Sequence, residues 1–482
     1  MVSGREGTFL ATELGGISML LIGDNTSWGR RDFLKIGALG LGGLSLPWLF
    51  EAQAHASSTP GGVHDKSVIL LFMHGGPSQF ETFDPKMTAP EGIRSTTGAT
   101  KTSLPGVTFG GTFTKLARHA DKVAIVRSYQ AGDANHDIKP VVHRTTLNAN
   151  LGSIYARVAG NNHPLTGMAT NAALFPRAVD PSAQPAQASF GNFLATGLVG
   201  AAYAPFVPGG SSEFQNNMRL KLALDRIQDR RALLAGLDRV RRQIDTSGTM
   251  QAMDKFQEQS FRVILGKAAD ALDLSKEDPR TVARYDTAPL VSPSSINKKW
   301  NNYKCYVDNA RTLGKLLLLA RRLCEAGCGF VTVTTNFVWD MHADVNNAPP
   351  RDGMPFVGGP FDHAVSTFIE DVEARGLSDR ILLVATGEMG RTPRVNKGGG
   401  RDHWGDLTPL LFYGGGLRMG QVIGQSSRDG GRPASEPYTI RHLTSTIMHT
   451  LFDVGKVRLL RGVPDDVSRF ITEGEPIKEL FS

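Results

Sequence analysis

The segment from Phe361 to Tyr413 constrains the fold most, because it reads as a helix, a strand, a polar turn and a second strand. Phe361–Arg375 carries apolar residues at the helical period and is followed by a glycine, a common residue at a helix C-terminus. Ile381–Ala385 and Pro409–Tyr413 are unbroken apolar runs, typical of strands buried on both faces. The segment therefore predicts part of a layered α/β core.

Three further apolar runs predict strands of the same sheet. They are Ser67–Met73, Val123–Val126 and Phe330–Thr334, and the last follows a predicted helix at Leu313–Ala326. Strands that alternate with helices indicate a three-layer α/β/α sandwich with a largely parallel central sheet. Open α/β sheets place ligands beyond the carboxyl ends of such strands, and most of these runs have His or acidic residues nearby.

The candidate site residues come from these strand ends. They are His74, His136, Asp340, His342, Glu388, Asp402 and His403, with Arg391 and Arg394 beside them. Imidazole with carboxylate is a ligand mixture suited to zinc, manganese or iron. Such ions polarise ester oxygens, and arginine recognises sulfate or phosphate oxygens in a planar, bidentate way. The pattern predicts a divalent metal centre beside an anion-binding site.

Each of these residues also has a structural interpretation. Asp340 and His342 could form a hydrogen-bonded loop pair, Glu388 could pair with a nearby arginine, and His74 could cap a glycine-rich turn. His363 is expected to be structural, and Asp362 beside it is a candidate helix N-cap. The sequence contains no G-x-S-x-G nucleophile elbow.

The first 56 residues have the layout of an export signal. Arg30-Arg31-Asp32-Phe33-Leu34-Lys35 precedes a glycine-rich apolar run and the small residues of Ala54-His55-Ala56, which predicts a twin-arginine signal peptide. A short membrane anchor is the alternative, although the run is short for a spanning helix. Met19 is an alternative start of translation. We expect a periplasmic or extracellular protein with no stable membrane span after processing, carried by the twin-arginine translocase.

Composition favours an anionic partner. The first 56 residues hold 4 of the 53 basic and 5 of the 46 acidic residues, so the remaining 426 carry a formal charge of +8. A basic exported protein favours sulfated or phosphorylated ligands, and no nucleic-acid-binding module is recognisable. We predict core segments at 64–211 and 286–482, separated by a charged helical insertion at 212–285.

Four motifs together resemble an uncharacterised bacterial family of twin-arginine-exported proteins, often named "sulfatase" and assigned to the alkaline phosphatase superfamily. They are His74-Gly75-Gly76-Pro77-Ser78-Gln79, Trp339-Asp340-Met341-His342, Gly387-Glu388-Met389-Gly390-Arg391-Thr392-Pro393 and Gly400-Arg401-Asp402-His403-Trp404. The resemblance implies an α/β/α sandwich with a two-metal centre and a Ser, Thr or formylglycine nucleophile for ester hydrolysis or transfer.

The resemblance also implies residue roles. Asp340, His342 and His403 are similar to metal ligands of the superfamily, and Glu388 keeps one carboxylate of a metal-binding pair whose other ligand is lost. His74 stands where the first strand usually delivers a metal-binding aspartate. His136 falls near the nucleophile position, in a segment without the Cys-x-Pro-x-Arg sulfatase signature.

These departures leave two functions open. The first is an exported metal-dependent hydrolase of sulfate or phosphate esters, with anionic glycans as possible substrates. It would use His136 in catalysis, Arg391 and Arg394 for the anion, and the remaining candidates for metal. Water activated by the metal, or His136 as nucleophile, would replace the missing serine or cysteine. The second is a catalytically degenerate protein that binds anionic polysaccharide or another envelope component.

Overall fold

The computed structural model describes residues 62–209 and 268–481, together with a short antiparallel pair near the N-terminus, Glu13–Leu14 with Ile17–Ser18. The chain divides into two units, Met1–Ser58 and Thr59–Ser482. All the candidate site residues lie in the second. The predicted signal peptide and residues 212–267 of the predicted insertion lie outside the described residues, apart from that short pair.

Seven strands form the central sheet of the described residues. They are β1 (Ser67–Phe72), β2 (Val123–Val126), β3 (Asn171–Leu174), β4 (Phe330–Thr334), β5 (Ile381–Thr386), β6 (Leu410–Gly414) and β7 (Gln421–Ile423). Their order is β7-β2-β6-β5-β1-β4-β3. Only β6 runs antiparallel to its two neighbours, and all other pairs are parallel. The predicted largely parallel sheet is confirmed.

Helices cover both faces of this sheet. In the described residues they are α1 (Leu151–Ala159), α2 (Ala268–Leu272), α3 (Pro279–Tyr285), α4 (Tyr303–Glu325), α5 (Pro350–Ala374), α6 (Ile440–Leu451), α7 (Val454–Val457) and α8 (Asp465–Thr472). None of them is both long and apolar enough to cross a membrane.

The strands are apolar throughout because each one packs against helices on both sides. In β1, Ile69 and Leu71 join the core formed with α4 and α5, whereas Val68 and Leu70 join the core formed with α1 and α6. Successive side chains of a strand point to opposite faces, so an unbroken apolar run supplies both cores. The three-layer α/β/α architecture is thereby confirmed.

Several element boundaries differ from those predicted. The sheet contains β3 and β7, neither of which was predicted as a strand. Helix α5 begins at Pro350 rather than Phe361 and includes Pro355 and Pro360. Proline usually marks a helix boundary, but here the residues before Phe361 are held by burial in the core.

Asp362 is not the N-cap of its own helix, because it lies inside α5. Its carboxylate accepts hydrogen bonds from the backbone N–H groups of Lys115 at 2.9 Å and Leu116 at 2.7 Å. It therefore caps the 3-10 helix Leu116–Lys122, which lies more than 240 positions away in the sequence. The residue type suited a cap, but tertiary packing decided which helix it serves.

The sheet topology places the candidate residues at one edge. Strands β5, β1 and β4 are adjacent and parallel, so the segments after their carboxyl ends meet. Beyond β5, a two-stranded hairpin pairs Gly390–Arg391 with His403–Trp404 and sets Arg391 opposite His403. This hairpin brings the Glu388 and His403 motifs to the same place before the chain enters β6.

Candidate metal centre

A glycine turn after β1 forms the floor of the site. Gly75 and Gly76 adopt φ values of 114° and 81°, which favour glycine. A Cβ atom at Gly75 would lie 2.6 Å from the backbone nitrogen of Asp340, so the close approach of the two segments also requires glycine. The turn directs the Gly75 N–H towards Glu388, at 2.9 Å from Oε1 and 3.1 Å from Oε2.

Four predicted site residues converge above this turn. His136, Asp340, His342 and His403 each offer a ligand atom, and these atoms all lie within 4.8 Å of one another. The Nε2 atoms of His342 and His403 are 2.6 Å apart, and His342 Nε2 is 2.9 Å from Asp340 Oδ1. Two imidazole nitrogens at this separation share a proton when no ion is bound. Three imidazoles and a carboxylate fit a zinc-like divalent ion.

Two carboxylates lie behind the imidazoles of this cluster. Glu388 Oε1 is 3.0 Å from His136 Nδ1, and Asp402 Oδ1 is 3.5 Å from His342 Nδ1. A carboxylate at Nδ1 fixes the tautomer and turns Nε2 towards the other potential ligand atoms, as is common for metal-binding histidines. Glu388 is fully buried, whereas the Asp402 side chain is 62% exposed. Both were predicted as metal ligands, and the structure places them where they can orient ligands.

Asp340 lies at the centre of the cluster. Its Oδ1 accepts a hydrogen bond from Arg391 Nη2 at 2.6 Å, and its Oδ2 accepts one from Asn347 Nδ2 at 2.9 Å. His136 Nε2 and His403 Nε2 each lie 3.6 Å from the carboxylate. Burial raises the pKa of Asp340, but Arg391 and the histidines hold it well below its usual range, so Asp340 is ionised.

The imidazoles differ in the proton affinity that their surroundings impose. Burial lowers the pKa of His403, and nearby Arg391 also lowers it, which keeps the lone pair free for a metal. Burial also lowers the pKa of His136, but hydrogen bonds to Asp340 and Glu388 outweigh it and raise the pKa overall. In the absence of an ion, His136 is therefore the easier of the two to protonate.

His74 does not join the four-residue cluster. Its ring packs against four phenylalanine rings, with centroid distances of 5.0 Å to Phe337, 5.4 Å to Phe72, 5.6 Å to Phe193 and 5.9 Å to Phe190. Its Nε2 atom is buried without a hydrogen-bond partner among the described residues. Burial lowers the pKa of His74 to about 4, so the ring is neutral near pH 7. The predicted role of His74 as a metal ligand stays a prediction.

The two predicted anion-binding arginines lie in different environments. Arg391 is 1% exposed and its guanidinium faces Asp340. Arg394 is exposed, and within the described part of the chain its side chain forms no hydrogen bond or ion pair. Only Arg394 therefore has free donors for a ligand in this structure.

Several residues that shape the site were not predicted. Asn347 holds Asp340, and Asn396 donates to the His342 carbonyl at 2.9 Å and to Asp402 at 3.0 Å. Phe190 and Phe337 stack at 4.7 Å and contact the His136 ring at 5.0 Å and 4.8 Å. These four residues could not be predicted from the sequence, because a single amide or aromatic residue in a loop does not reveal a partner that is distant along the chain.

Comparison with known proteins identifies the family. Residues 65–481 match the family described as "Protein of unknown function (DUF1501)". The chain belongs to this family. The match covers nearly all of the part beyond the predicted signal, and no curated protein sequence matches the chain.

Solved structures of sulfatases and related enzymes resemble this chain only weakly. A sulfatase from Pseudoalteromonas sp., PsFucS1, is 10% identical, with 83% of this chain and 69% of that one covered and a TM-score of 0.30. The phosphonate monoester hydrolase of Agrobacterium radiobacter is 11% identical, with 86% and 78% covered and a TM-score of 0.26. Ps i-CgsB in complex with k-i-k-neocarrahexaose is 11% identical, with 86% and 78% covered and a TM-score of 0.32. At these scores the function must be argued from the site itself.

Proposed function

We propose that this DUF1501 protein is a metal-dependent hydrolase of sulfate or phosphate esters. The observation that carries the proposal is the convergence of His136, Asp340, His342 and His403 within 4.8 Å at the strand ends. Asp340, His342 and His403 would hold the ion, which matches the three protein ligands typical of catalytic zinc sites. An ion held there would polarise the ester and stabilise the leaving alkoxide.

His136 is the proposed acid–base residue. Glu388 binds its Nδ1 side at 3.0 Å and leaves Nε2 facing the cluster, 3.6 Å from Asp340. A histidine oriented by a buried carboxylate is the usual arrangement for moving a proton at a defined position. His136 would take a proton from the attacking group at Nε2 and return it to the leaving oxygen.

Arg394 is the proposed contact for the sulfate or phosphate group of the substrate. Its exposed guanidinium has no protein partner in the described residues, and it follows the hairpin strand that carries Arg391. Arg391 would have to release a protein partner before it could bind a sulfate or phosphate group directly.

We further propose that the substrate is an ester group of an anionic glycan and that the protein acts after export. The formal charge of +8 beyond residue 56 and the paired arginines Arg30 and Arg31 support these two statements.

We also propose that the chain is divided into core segments at 64–211 and 286–482 with an insertion at 212–285. In the described end of this insertion, residues 268–285, α3 contacts α4 and α5.

The test combines metal content with hydrolysis. Protein purified without chelator should contain zinc, manganese or iron and should hydrolyse at least one aryl sulfate or aryl phosphate. His403→Ala should lose both properties, whereas the matched variant His363→Ala should keep them, since the His363 ring bonds the Arg284 carbonyl on α3 instead. A folded protein that takes up no divalent ion would refute the proposal.

A binding protein for anionic polysaccharide is the second candidate. One observation favours it: among the described residues, no serine, threonine or cysteine side chain hydrogen-bonds to His136, Asp340, His342 or His403. A conventional covalent nucleophile is therefore missing from the cluster. Tight binding of a sulfated oligosaccharide without turnover of any ester would support this candidate.

A further inference from the structure

The guanidinium of Arg391 is enclosed by oxygen atoms of the protein. Its Nε donates to the Gly76 carbonyl at 2.7 Å, and Nη1 donates to the Arg401 carbonyl at 3.1 Å. Its Nη2 donates to the Gly75 carbonyl and, at 2.6 Å, to Asp340 Oδ1. We call these four acceptors, Gly75 O, Gly76 O, Arg401 O and Asp340 Oδ1, the oxygen cage.

Four of the five N–H groups of Arg391 donate to oxygen atoms of the protein. The remaining N–H group, on Nη1, lies inside the cluster, 3.3 Å from His342 Nε2. Backbone carbonyls with one carboxylate are the ligand set that hard cations such as calcium prefer. The cage presents oxygen atoms to its occupant, and in this protein a cationic side chain fills it.

A second metal ion also lacks ligands elsewhere in the cluster. Both carboxylate oxygens of Glu388 accept a hydrogen bond from the Gly75 N–H, and Oε1 also contacts His136 Nδ1. The His74 ring is surrounded by phenylalanine rings. In residues 62–209 and 268–481, only one group of three or more His, Cys, Asp or Glu residues has its ligand atoms close enough to share an ion.

We propose that the centre takes a single divalent ion and that Arg391 supplies the second positive charge beside Asp340. This inference rests on the proposed metal-dependent function and departs from the two-metal centre that the family resemblance implies. The guanidinium occupies the oxygen cage, anchors Asp340 to the glycine turn and repels a second cation. Arg391 is then a positioning residue that holds a ligand and does not bind the substrate anion.

The stoichiometry of metal binding tests the first half of the proposal. Protein stripped with chelator is titrated with Co²⁺ while visible absorption and bound cobalt are measured. We expect both signals to saturate at one equivalent per chain. Two equivalents, lost together in His403→Ala, would overturn the inference and leave the proposed hydrolase intact. No bound cobalt would overturn the proposed function itself.

Substitution of Arg391 tests the second half. Arg391→Ala empties the cage, so the cobalt-loaded variant should bind one Ca²⁺ per chain by calorimetry, which wild type should not. Arg391→Lys keeps a cation in the cage and should behave as wild type towards Ca²⁺. A folded Arg391→Ala protein that holds Co²⁺ but binds no Ca²⁺ would overturn the assignment. If that variant does not fold, the wild-type stoichiometry still decides the number of ions.

Discussion

Two buried arginines, Arg321 and Arg391, lie in clusters built on different principles. Arg321 on α4 contacts three separate carboxylates: Glu277 at 2.7 Å, Asp371 at 3.1 Å, and Glu325. Two further arginines share these partners, since Arg322 contacts Glu277 at 2.9 Å and Arg375 contacts Asp371 at 2.9 Å. Three guanidinium groups thus meet three carboxylates.

The strand-end cluster concentrates its contacts on one carboxylate instead. Arg391, Asn347 and three imidazoles all surround Asp340, and two imidazole nitrogens approach each other. A balanced cluster such as that of Arg321 is complete without any ligand and links α4 to α5. The Asp340 cluster brings four potential ligand atoms within 4.8 Å of one another, an arrangement that a cation would complete. The difference separates an ion cluster that is complete in itself from one whose ligand atoms could hold a cation.

Arg321→Met should produce the largest change in stability. The substitution leaves buried carboxylates without their central partner, which typically costs about 3–5 kcal/mol. We expect a large decrease in the free energy of unfolding, measured with urea. The metal content of the remaining folded protein should match wild type, and its loss would show that the two clusters are not independent.

Glu277→Gln should have a smaller effect that depends on pH. Burial raises the pKa of Glu277, but the surrounding arginines outweigh it and lower the pKa from 4.5 to about 2. A depressed carboxyl pKa stabilises the fold above the unfolded value, and this stabilisation disappears as the pH falls through the folded value. Wild type should therefore exceed the variant in Tm at pH 6, and the gap should shrink as the pH falls from 4.5 towards 2. A constant gap would contradict the assignment.

His403→Ala should remove the stabilisation that a bound metal provides and should leave the stability of the metal-free protein nearly unchanged. The side chain is 28% exposed and lies outside the apolar cores. A metal present at 100 times its Kd stabilises a folded protein by about 2.7 kcal/mol. Added zinc should thus raise the Tm of wild type but not of the variant. An equal rise in both would place the ion elsewhere.

Glu388→Gln and Asp402→Asn compare the two orienting carboxylates. Loss of such a carboxylate typically weakens metal binding or activity by about 10- to 100-fold. Buried Glu388 orients the proposed acid–base residue His136, so Glu388→Gln should show this loss in kcat/KM. The Asp402 variant should change less than Glu388→Gln, because water solvates an exposed side chain 3.5 Å from its histidine. The reverse order would reject the assigned roles.

Most of the sheet was predictable because burial on both faces leaves a local signature. The predicted runs Val123–Val126 and Phe330–Thr334 coincide with β2 and β4. Strand β3 was missed because it begins with Asn171 and contains two alanines, a composition that also suits a loop. The start of α5 was missed because Pro355 and Pro360 mimic a boundary. In both cases tertiary packing overrode local propensity.

The residue types of the site were also predictable, but the role of each residue was not. Asp340, His342 and His403 were expected together and lie together. Glu388 and Asp402 were expected beside them as ligands, yet each lies at the Nδ1 side of a histidine. Which atom of an imidazole faces an ion depends on contacts between segments that are far apart in sequence.

The sequence by itself determined the layered α/β class, the family and the strand ends that carry the chemistry, because periodicity and clustered polar residues are local properties. Only the tertiary structure decided that His74 lies among phenylalanines and that Arg391 fills an oxygen cage. These outcomes depend on distances between β1, β4 and β5, which pair through residues hundreds of positions apart. Hydrogen-bond partners at such a junction follow from the packing of the whole sheet.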